Sequence, residues 1–180
     1  PGGTHPELVE DAKGNKFVKK KGTDPGHVKE EFVADLAYKA AGFNVPAGKL
    51  YEEDGKTVKL TAFLEGAVTL REAVASMSAD EEKNLFKEIS KGFVMDALMG
   101  NWDVVGQTMD NIMVKDGKVY RIDNGGSLRY RAMGKMKIGV QWGKVVNELK
   151  TLRDPYKNPQ TSQIFKSITD EEINKQIKDI

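Results

Sequence analysis

The chain has 180 residues, of which 39% are apolar, so it is long enough to bury one core or the cores of a compact two-lobed domain. Its 28 basic and 27 acidic residues nearly balance, which argues against a nucleic-acid-binding or membrane-surface protein. It contains no cysteine, which excludes disulfides, thiolate metal sites and a cysteine nucleophile and is typical of a cytoplasmic protein.

The N-terminal stretch predicts a short glycine-containing loop, residues 1–6, and then a hairpin with strands 8–10 and 16–20. Glycines let backbone N–H groups approach phosphate oxygens, and a lysine on the second strand could reach the same phosphates. Alternation places Lys19 on one face of this strand together with Phe17. The alternatives are an ordinary chain terminus and a solvated strand edge, since Lys19 lies in a run of three lysines.

A helix is predicted from Pro25 to about residue 41, because Asp24 is a good N-cap and proline suits the first helical position. Glu31 lies beside the apolar stripe of this helix. It could point inward and pair with Lys19, or it could lie on the surface beside Glu30. Apolar residues recurring every four positions predict the buried stripe Val28, Phe32, Leu36 and Ala40.

The middle of the chain predicts a second hairpin, strands 48–51 and 57–64, from which residues 63–66 leave the sheet. A short helix over 67–77 follows. Ser78 and Glu81 then have the spacing of a capping box, which predicts one long helix ending at Gly100. The first part of the chain is therefore expected to be a small antiparallel sheet with one helix packed on it.

Two acids and an asparagine lie in loops around a third predicted hairpin, residues 114–120, whose turn contains Asp-Gly. The hairpin should bring Asn111, before its first strand, close to Asp123, after its second strand, with Asp103 in the preceding loop. Oxygen ligands of this kind suit magnesium, which usually takes one or two protein carboxylates together with phosphate oxygens. The alternative is that Asp103, Asp110 and Asn111 are ordinary turn residues.

The C-terminal part predicts a helix over 141–152, interrupted afterwards by two prolines, and a last helix opened by a Thr169 capping box. Between the acids and this region lies a group of positive charges, which could hold an acidic or phosphorylated substrate or form a solvated loop. Its members, with one tyrosine among them, are Arg129, Tyr130, Arg131, Lys135 and Lys137.

The order of these features resembles that of the protein kinase-like fold, in its HipA-like and phosphoinositide-kinase-like branch. The chain looks most similar to compact kinase-like domains of phages and bacteria. The likeness spans roughly residues 1–165. The residues that carry it are Gly2-Gly3-Thr4-His5-Pro6, Phe17-Val18-Lys19, Glu31, Phe63-Leu64-Glu65-Gly66, Asn101-Trp102-Asp103-Val104-Val105-Gly106, Asp110-Asn111, Arg121-Ile122-Asp123-Asn124-Gly125-Gly126 and Tyr130-Arg131-Ala132.

This resemblance implies an α+β, two-lobed fold, with an N-lobe of sheet and helix over 1–66 and a mainly helical C-lobe with a hairpin over 67–180. It also implies ATP and Mg²⁺ as cofactors and assigns roles to individual residues. Lys19 would bind the α- and β-phosphates and Glu31 would hold that lysine. Asp103 would orient the accepting hydroxyl and take its proton. The residues implied to cover the phosphates are Gly2, Gly3, Thr4 and His5, those meeting adenine are Phe63, Leu64 and Glu65, and those holding magnesium are Asn111 and Asp123.

The function implied is an ATP- and Mg²⁺-dependent phosphotransferase, a protein serine/threonine kinase, in the cytoplasm of a bacterial or phage-infected cell. A lipid or small-molecule kinase or an adenylyltransferase on the same fold is one alternative. A nucleotide-binding pseudokinase or interaction module is another, because Asp103 and Asn111 are eight residues apart instead of the five of protein kinases. The alternative to a cytoplasmic protein is a secreted effector.

Membrane segments are not expected, since no apolar run approaches the about 20 residues of a span and no signal peptide is visible. The first residue is Pro1 rather than Met, which suggests an excised domain or a processed product. The partners implied by the resemblance are a nucleotide and a protein or small-molecule hydroxyl acceptor, and no nucleic acid is expected.

Overall fold

A computed structural model describes residues 5–22 and 24–180 of the chain and shows an α+β fold. The predicted phosphate-covering residues Gly2, Gly3 and Thr4 lie outside the described residues, and of His5 only the backbone is described. Among the described residues, no helix combines the length and the apolar character needed to cross a bilayer.

The first part of the chain is a four-stranded antiparallel sheet of order β1-β2-β4-β3 with helix α1 packed on it, as the sequence predicts. Asp24 caps α1 by accepting a hydrogen bond from the Gly26 N–H, and Pro25 occupies its first turn. The elements are β1 (His5–Glu10), β2 (Lys16–Lys21), α1 (Pro25–Ala40), β3 (Gly48–Glu53) and β4 (Lys56–Ala62).

The buried face of α1 differs from the predicted stripe. Val28 is buried as expected, but Leu36 is 51% exposed and Ala40 also faces solvent. The buried face is wider and includes charged residues, because it meets the sheet through ion pairs and the second part of the chain through His27 and Tyr38. Its buried members are His27, Val28, Glu31, Ala34, Asp35 and Tyr38.

The remainder of the chain is mainly helical around one apolar cluster and carries a three-stranded sheet of order β5-β6-β7. The capping boxes at Ser78 and Thr169 are both present. The elements are β5 (Val68–Thr69), α2 (Leu70–Ala75), α3 (Ala79–Ser90), α4 (Phe93–Leu98), β6 (Ile112–Lys115), β7 (Lys118–Arg121), α5 (Glu148–Thr151), α6 (Pro159–Phe165) and α7 (Asp170–Asp179).

The predicted long helix is two helices, α3 and α4, with a turn at Lys91 and Gly92. A side chain at Gly92 would clash with the Arg121 guanidinium, since an added Cβ would overlap Nη2. That guanidinium forms a buried bidentate pair with Asp96 in α4, with both nitrogen–oxygen distances 2.7 Å. The helix is therefore interrupted at the point where Arg121 of β7 packs against it.

The other predicted elements are shorter or shifted. The hairpin of β6 and β7 is confirmed, and its Asp116-Gly117 turn has positive φ at both positions, as its type requires. The helix predicted over 141–152 shrinks to α5. The predicted interruption after it is present at Pro155, and the second proline, Pro159, starts α6, where the Asn158 side chain accepts a hydrogen bond from the Thr161 N–H.

Candidate active site

A cavity of about 240 Å³ lies where the first sheet, the segment after β4 and the β6–β7 hairpin meet. Its walls are mostly apolar, and a group of charged side chains forms another part of the lining. The apolar lining includes Val18, Pro46, Phe63, Leu64, Met113 and Ile122, and the charged lining is Lys20, Glu31, Lys59 and Asp123. Such a cavity suits a flat, partly apolar group attached to an anionic one.

Lys20 is the lysine that joins the two parts of the chain at this cavity. Its Nζ lies 2.8 Å from Glu31 Oε2 and 3.0 Å from Asp123 Oδ1, although Asp123 is 103 residues away in sequence. Burial alone would lower the pKa of Lys20, but the charges of Glu31 and Asp123 outweigh it and raise that pKa. Lys20 therefore remains protonated and positively charged between Glu31 and Asp123.

The predicted pair of Lys19 and Glu31 is wrong. Lys19 Nζ contacts Glu53 Oε1 at 2.9 Å, on the face of the sheet opposite to Lys20. Strand side chains alternate, so Val18 and Lys20 line the cavity and Lys19 cannot. The prediction that Glu31 points inward is correct, since it is only 2% exposed.

Lys59, in the middle of β4, is a second buried lysine at this site. Its Nζ lies 3.0 Å from Glu31 Oε1 and also contacts Asp35, and the residue is 1% exposed. Burial opposes its charge, but Glu31 and Asp35 raise the pKa of Lys59 above its usual value. Glu31 thus bridges two lysines with its two carboxylate oxygens.

The charged group continues into a chain of buried polar side chains that crosses from α1 to the loops after β7 and α4. Asp35 accepts a hydrogen bond from Asn124 Nδ2 at 2.8 Å, and Asn124 Oδ1 accepts one from Asn101 at 3.2 Å. Tyr38 donates to Asp96 at 2.9 Å at the far end. Asn124 immediately follows Asp123, so this chain fixes the backbone that presents the Asp123 carboxylate.

The two acids and the asparagine come together as the sequence predicts. Asn111 donates through Nδ2 to the Asp103 carbonyl at 2.7 Å and to its Oδ2 at 3.4 Å. The Asn111 carbonyl accepts from the Ile122 N–H at 3.1 Å, which sets Asn111 beside the residue preceding Asp123. An added Cβ at Gly126 would lie 3.6 Å from the Asp103 Cβ, so the segment after Asp123 packs against the same loop.

Asp103 differs from Asp123 in its electrostatics. Partial burial, followed by the nearby negative charge of Asp123, raises the pKa of Asp103 to about 6. Burial also works against the ionised form of Asp123, but the Lys20 charge and hydrogen bond hold its pKa below the usual value. The site therefore contains one permanent carboxylate and one carboxyl that can exchange a proton near neutral pH.

The residues present fit a magnesium ion that also takes phosphate ligands. Within the described ranges, no group of three or more histidine, aspartate or glutamate side chains is arranged to hold a metal by itself. Asp123 supplies a carboxylate on a 45% exposed side chain. The Asn111 amide nitrogen donates a hydrogen bond to Asp103, so its amide oxygen is available as a metal ligand. This set matches an ion that keeps water or phosphate in most of its positions.

The segment leaving β4 forms one wall of the cavity. Phe63 and Leu64 line it, whereas Glu65 has an exposed side chain 3.7 Å from Lys16. The Phe63 N–H is committed to the Lys16 carbonyl at 3.0 Å. No hydrogen bond of the Leu64 N–H is found among residues 5–22 and 24–180.

Most of the positive charges predicted as a group over 129–137 contact other parts of the protein. The Arg129 guanidinium pairs with Glu30, and Arg131 donates to Gln141 at 2.7 Å. Tyr130 is buried and donates to Asp24 at 3.0 Å. Lys137 points into the protein, toward backbone carbonyls. Arg129, Arg131 and Lys135 all remain exposed, but the two arginines have side-chain partners.

Two important site residues, Lys20 and Lys59, were missed in the sequence interpretation. For Lys59 a signal was present, because a lysine between Val58 and Leu60 in a strand of otherwise apolar character is unexpected unless its charge is paired. For Lys20 the signal was ambiguous, since Phe17 and Val18 make both faces of β2 partly apolar.

Comparison with known proteins gives no family assignment. No protein-family model matches the chain, and no curated protein sequence matches it.

Proposed function

We propose that the protein is an ATP- and Mg²⁺-dependent phosphotransferase that acts on a hydroxyl group, most simply a serine or threonine of a protein. The observation that carries this proposal is the meeting of Lys20, Glu31 and Asp123 at one apolar cavity. An ammonium held by a helix glutamate, opposite a carboxylate that follows a hairpin, is the arrangement by which kinases hold phosphates and metal.

The chain's own residues would divide the work as follows. The apolar walls would hold the adenine ring, with the Leu64 N–H as a donor, and Lys20 would turn from Asp123 to the α- and β-phosphates. Magnesium, when bound, neutralises phosphate charge, and Asp123 and Asn111 would hold it. Asp103, with a pKa of about 6, would orient the accepting hydroxyl and take its proton.

A large acceptor fits the surroundings of Asp103. Trp102 beside it is 42% exposed, and the segment after residue 132, which reaches Gly100 through Lys137, exposes several apolar side chains. We propose accordingly that residues 1–66 and 67–180 act as the two lobes of a kinase-like fold, with the nucleotide between them. Of the basic residues that favoured an anionic lipid or small-molecule acceptor, Arg129 is paired with Glu30 and Lys137 contacts backbone carbonyls, which weakens the case for an anionic acceptor.

Two substitutions of neighbouring lysines test the proposal. Lys20→Met should lower phosphate transfer from γ-labelled ATP by about 100-fold, because removing one preorganised charge at the phosphates typically costs that much. Lys19→Met is the matched control, since Lys19 lies on the opposite face of the same strand, and it should retain the activity. Loss of activity in Lys19→Met with retention in Lys20→Met would contradict the proposed site.

The same assay separates the alternatives. Label transferred from the α-position of ATP instead of the γ-position would make the protein an adenylyltransferase. Nucleotide binding without any transfer would support a pseudokinase, for which the eight-residue spacing of Asp103 and Asn111 is the specific reason.

A further inference from the structure

Three backbone carbonyls from two separate loops point at the ammonium of Lys137. Its Nζ lies 2.6 Å from the Gly100 oxygen, 2.9 Å from the Gly126 oxygen and 2.7 Å from the Leu128 oxygen. An ammonium has three N–H donors, so these carbonyls use all of its hydrogen-bonding capacity. The Trp142 ring covers the same charge, with its centroid 5.5 Å from Nζ.

The loops tied by this ammonium are those that carry the two acids of the candidate site. Gly100 lies two residues after the end of α4 and directly precedes the segment that presents Asp103. Gly126 and Leu128 follow Asp123, and the Leu128 N–H also donates to the Met99 carbonyl at 2.6 Å. Carbonyl oxygens converging on one point repel each other unless a cation lies between them, and the charge of Lys137 offsets this repulsion where the two loops meet.

The same lysine closes the loop in which it lies. The backbone N–H of Lys137 donates a hydrogen bond to the Arg129 carbonyl at 2.7 Å, so residues 129–137 fold back on themselves. Directly after it comes an apolar stretch that is open to solvent, with Ile138 72%, Val140 81% and Val145 70% exposed. Burial lowers the pKa of Lys137 to about 8, which still leaves it mostly protonated at neutral pH.

We propose that Lys137 is a positioning residue whose ammonium ties the loop bearing Asp103 to the segment after Asp123 and so holds residues 126–142 beside the acceptor side of the site. Its effect on phosphate transfer rests on the function proposed above, whereas its effect on loop order does not. Without the charge, the Gly100, Gly126 and Leu128 carbonyls lose their shared donor and the segment opens, while the nucleotide cavity keeps its lining.

Hydrogen exchange followed by mass spectrometry tests this clamp in three variants of the full chain. Lys137→Met keeps the length of the side chain and removes its charge, and Lys137→Arg restores a cation. Lys135→Met is the control, because Lys135 is exposed in the same segment. We expect amides of residues 126–142 to exchange about tenfold faster or more in Lys137→Met, as expected from losing hydrogen bonds to a charged group. The arginine variant should recover part of the protection, and Lys135→Met should match the wild type.

Activity and binding complete the test. Transfer to a protein acceptor should fall by about tenfold in Lys137→Met, whereas affinity for a non-hydrolysable ATP analogue should change by less than about twofold. Unchanged exchange in Lys137→Met, equal exchange in the Met and Arg variants, or faster exchange spread evenly into α4 would each overturn the clamp. A wild-type protein that transfers no phosphate would refute the proposed function and leave the exchange result standing.

Discussion

Asp123→Asn is expected to lower Mg²⁺-dependent phosphate transfer by about 1,000-fold or more, since it removes the charge that both metal and Lys20 require. The substitution keeps the size of the side chain. Asp123 is 45% exposed, so the fold should tolerate the change. The measurement is the initial rate of transfer from γ-labelled ATP over a range of magnesium concentrations, with thermal unfolding as the check on the fold.

Asp116→Asn is the matched control for this result. Asp116 lies in the exposed turn of the same hairpin with φ of 49°, a conformation that asparagine adopts readily. The control should transfer phosphate at the wild-type rate. Transfer that survives in Asp123→Asn at the same magnesium concentrations would show that Asp123 is not the metal carboxylate.

Lys59→Met is expected to have the largest effect on stability, a loss of about 3–5 kcal/mol in the free energy of unfolding, as is typical for breaking a buried ion pair. Lys59 has a 2% exposed side chain and contacts both Glu31 and Asp35. Its removal leaves two carboxylates buried beside each other with one fewer cation. Urea denaturation followed by circular dichroism measures the loss.

Lys56→Met, at the exposed start of the same strand, controls for the change of residue type and should leave the denaturation midpoint unchanged. An unchanged midpoint in Lys59→Met as well would mean that the two carboxylates find other partners. In that case the ion pairs of Lys59 with Glu31 and Asp35 would not be what holds α1 to the sheet.

The elements of the fold could be predicted where local chemistry decides them. Asp24 with Pro25, Ser78 with Glu81, and Asp116 with Gly117 each satisfy backbone groups within a few residues, and the structure has the corresponding cap or turn at each. The break between α3 and α4 could not be predicted from local chemistry. It depends on Arg121, which is 29 residues beyond Gly92 in sequence and reaches it only in the folded protein.

The candidate site was predictable in its acids and not in its cations. Asn111 and Asp123 flank a hairpin, so a two-residue turn is enough to bring them together. The choice between Lys19 and Lys20 depends on which face of β2 meets α1. Glu31 and Lys59 make that interface ionic, and both faces of β2 are partly apolar, so hydrophobic patterning could not decide between the two lysines.

The most direct test of this account is a crystal structure of the protein with a non-hydrolysable ATP analogue and magnesium. We expect adenine against Phe63 and Leu64, the α- and β-phosphates at Lys20, and the metal between Asn111, Asp123 and the phosphates. A nucleotide bound elsewhere, with the contact between Lys20 and Asp123 intact and the cavity empty, would contradict it.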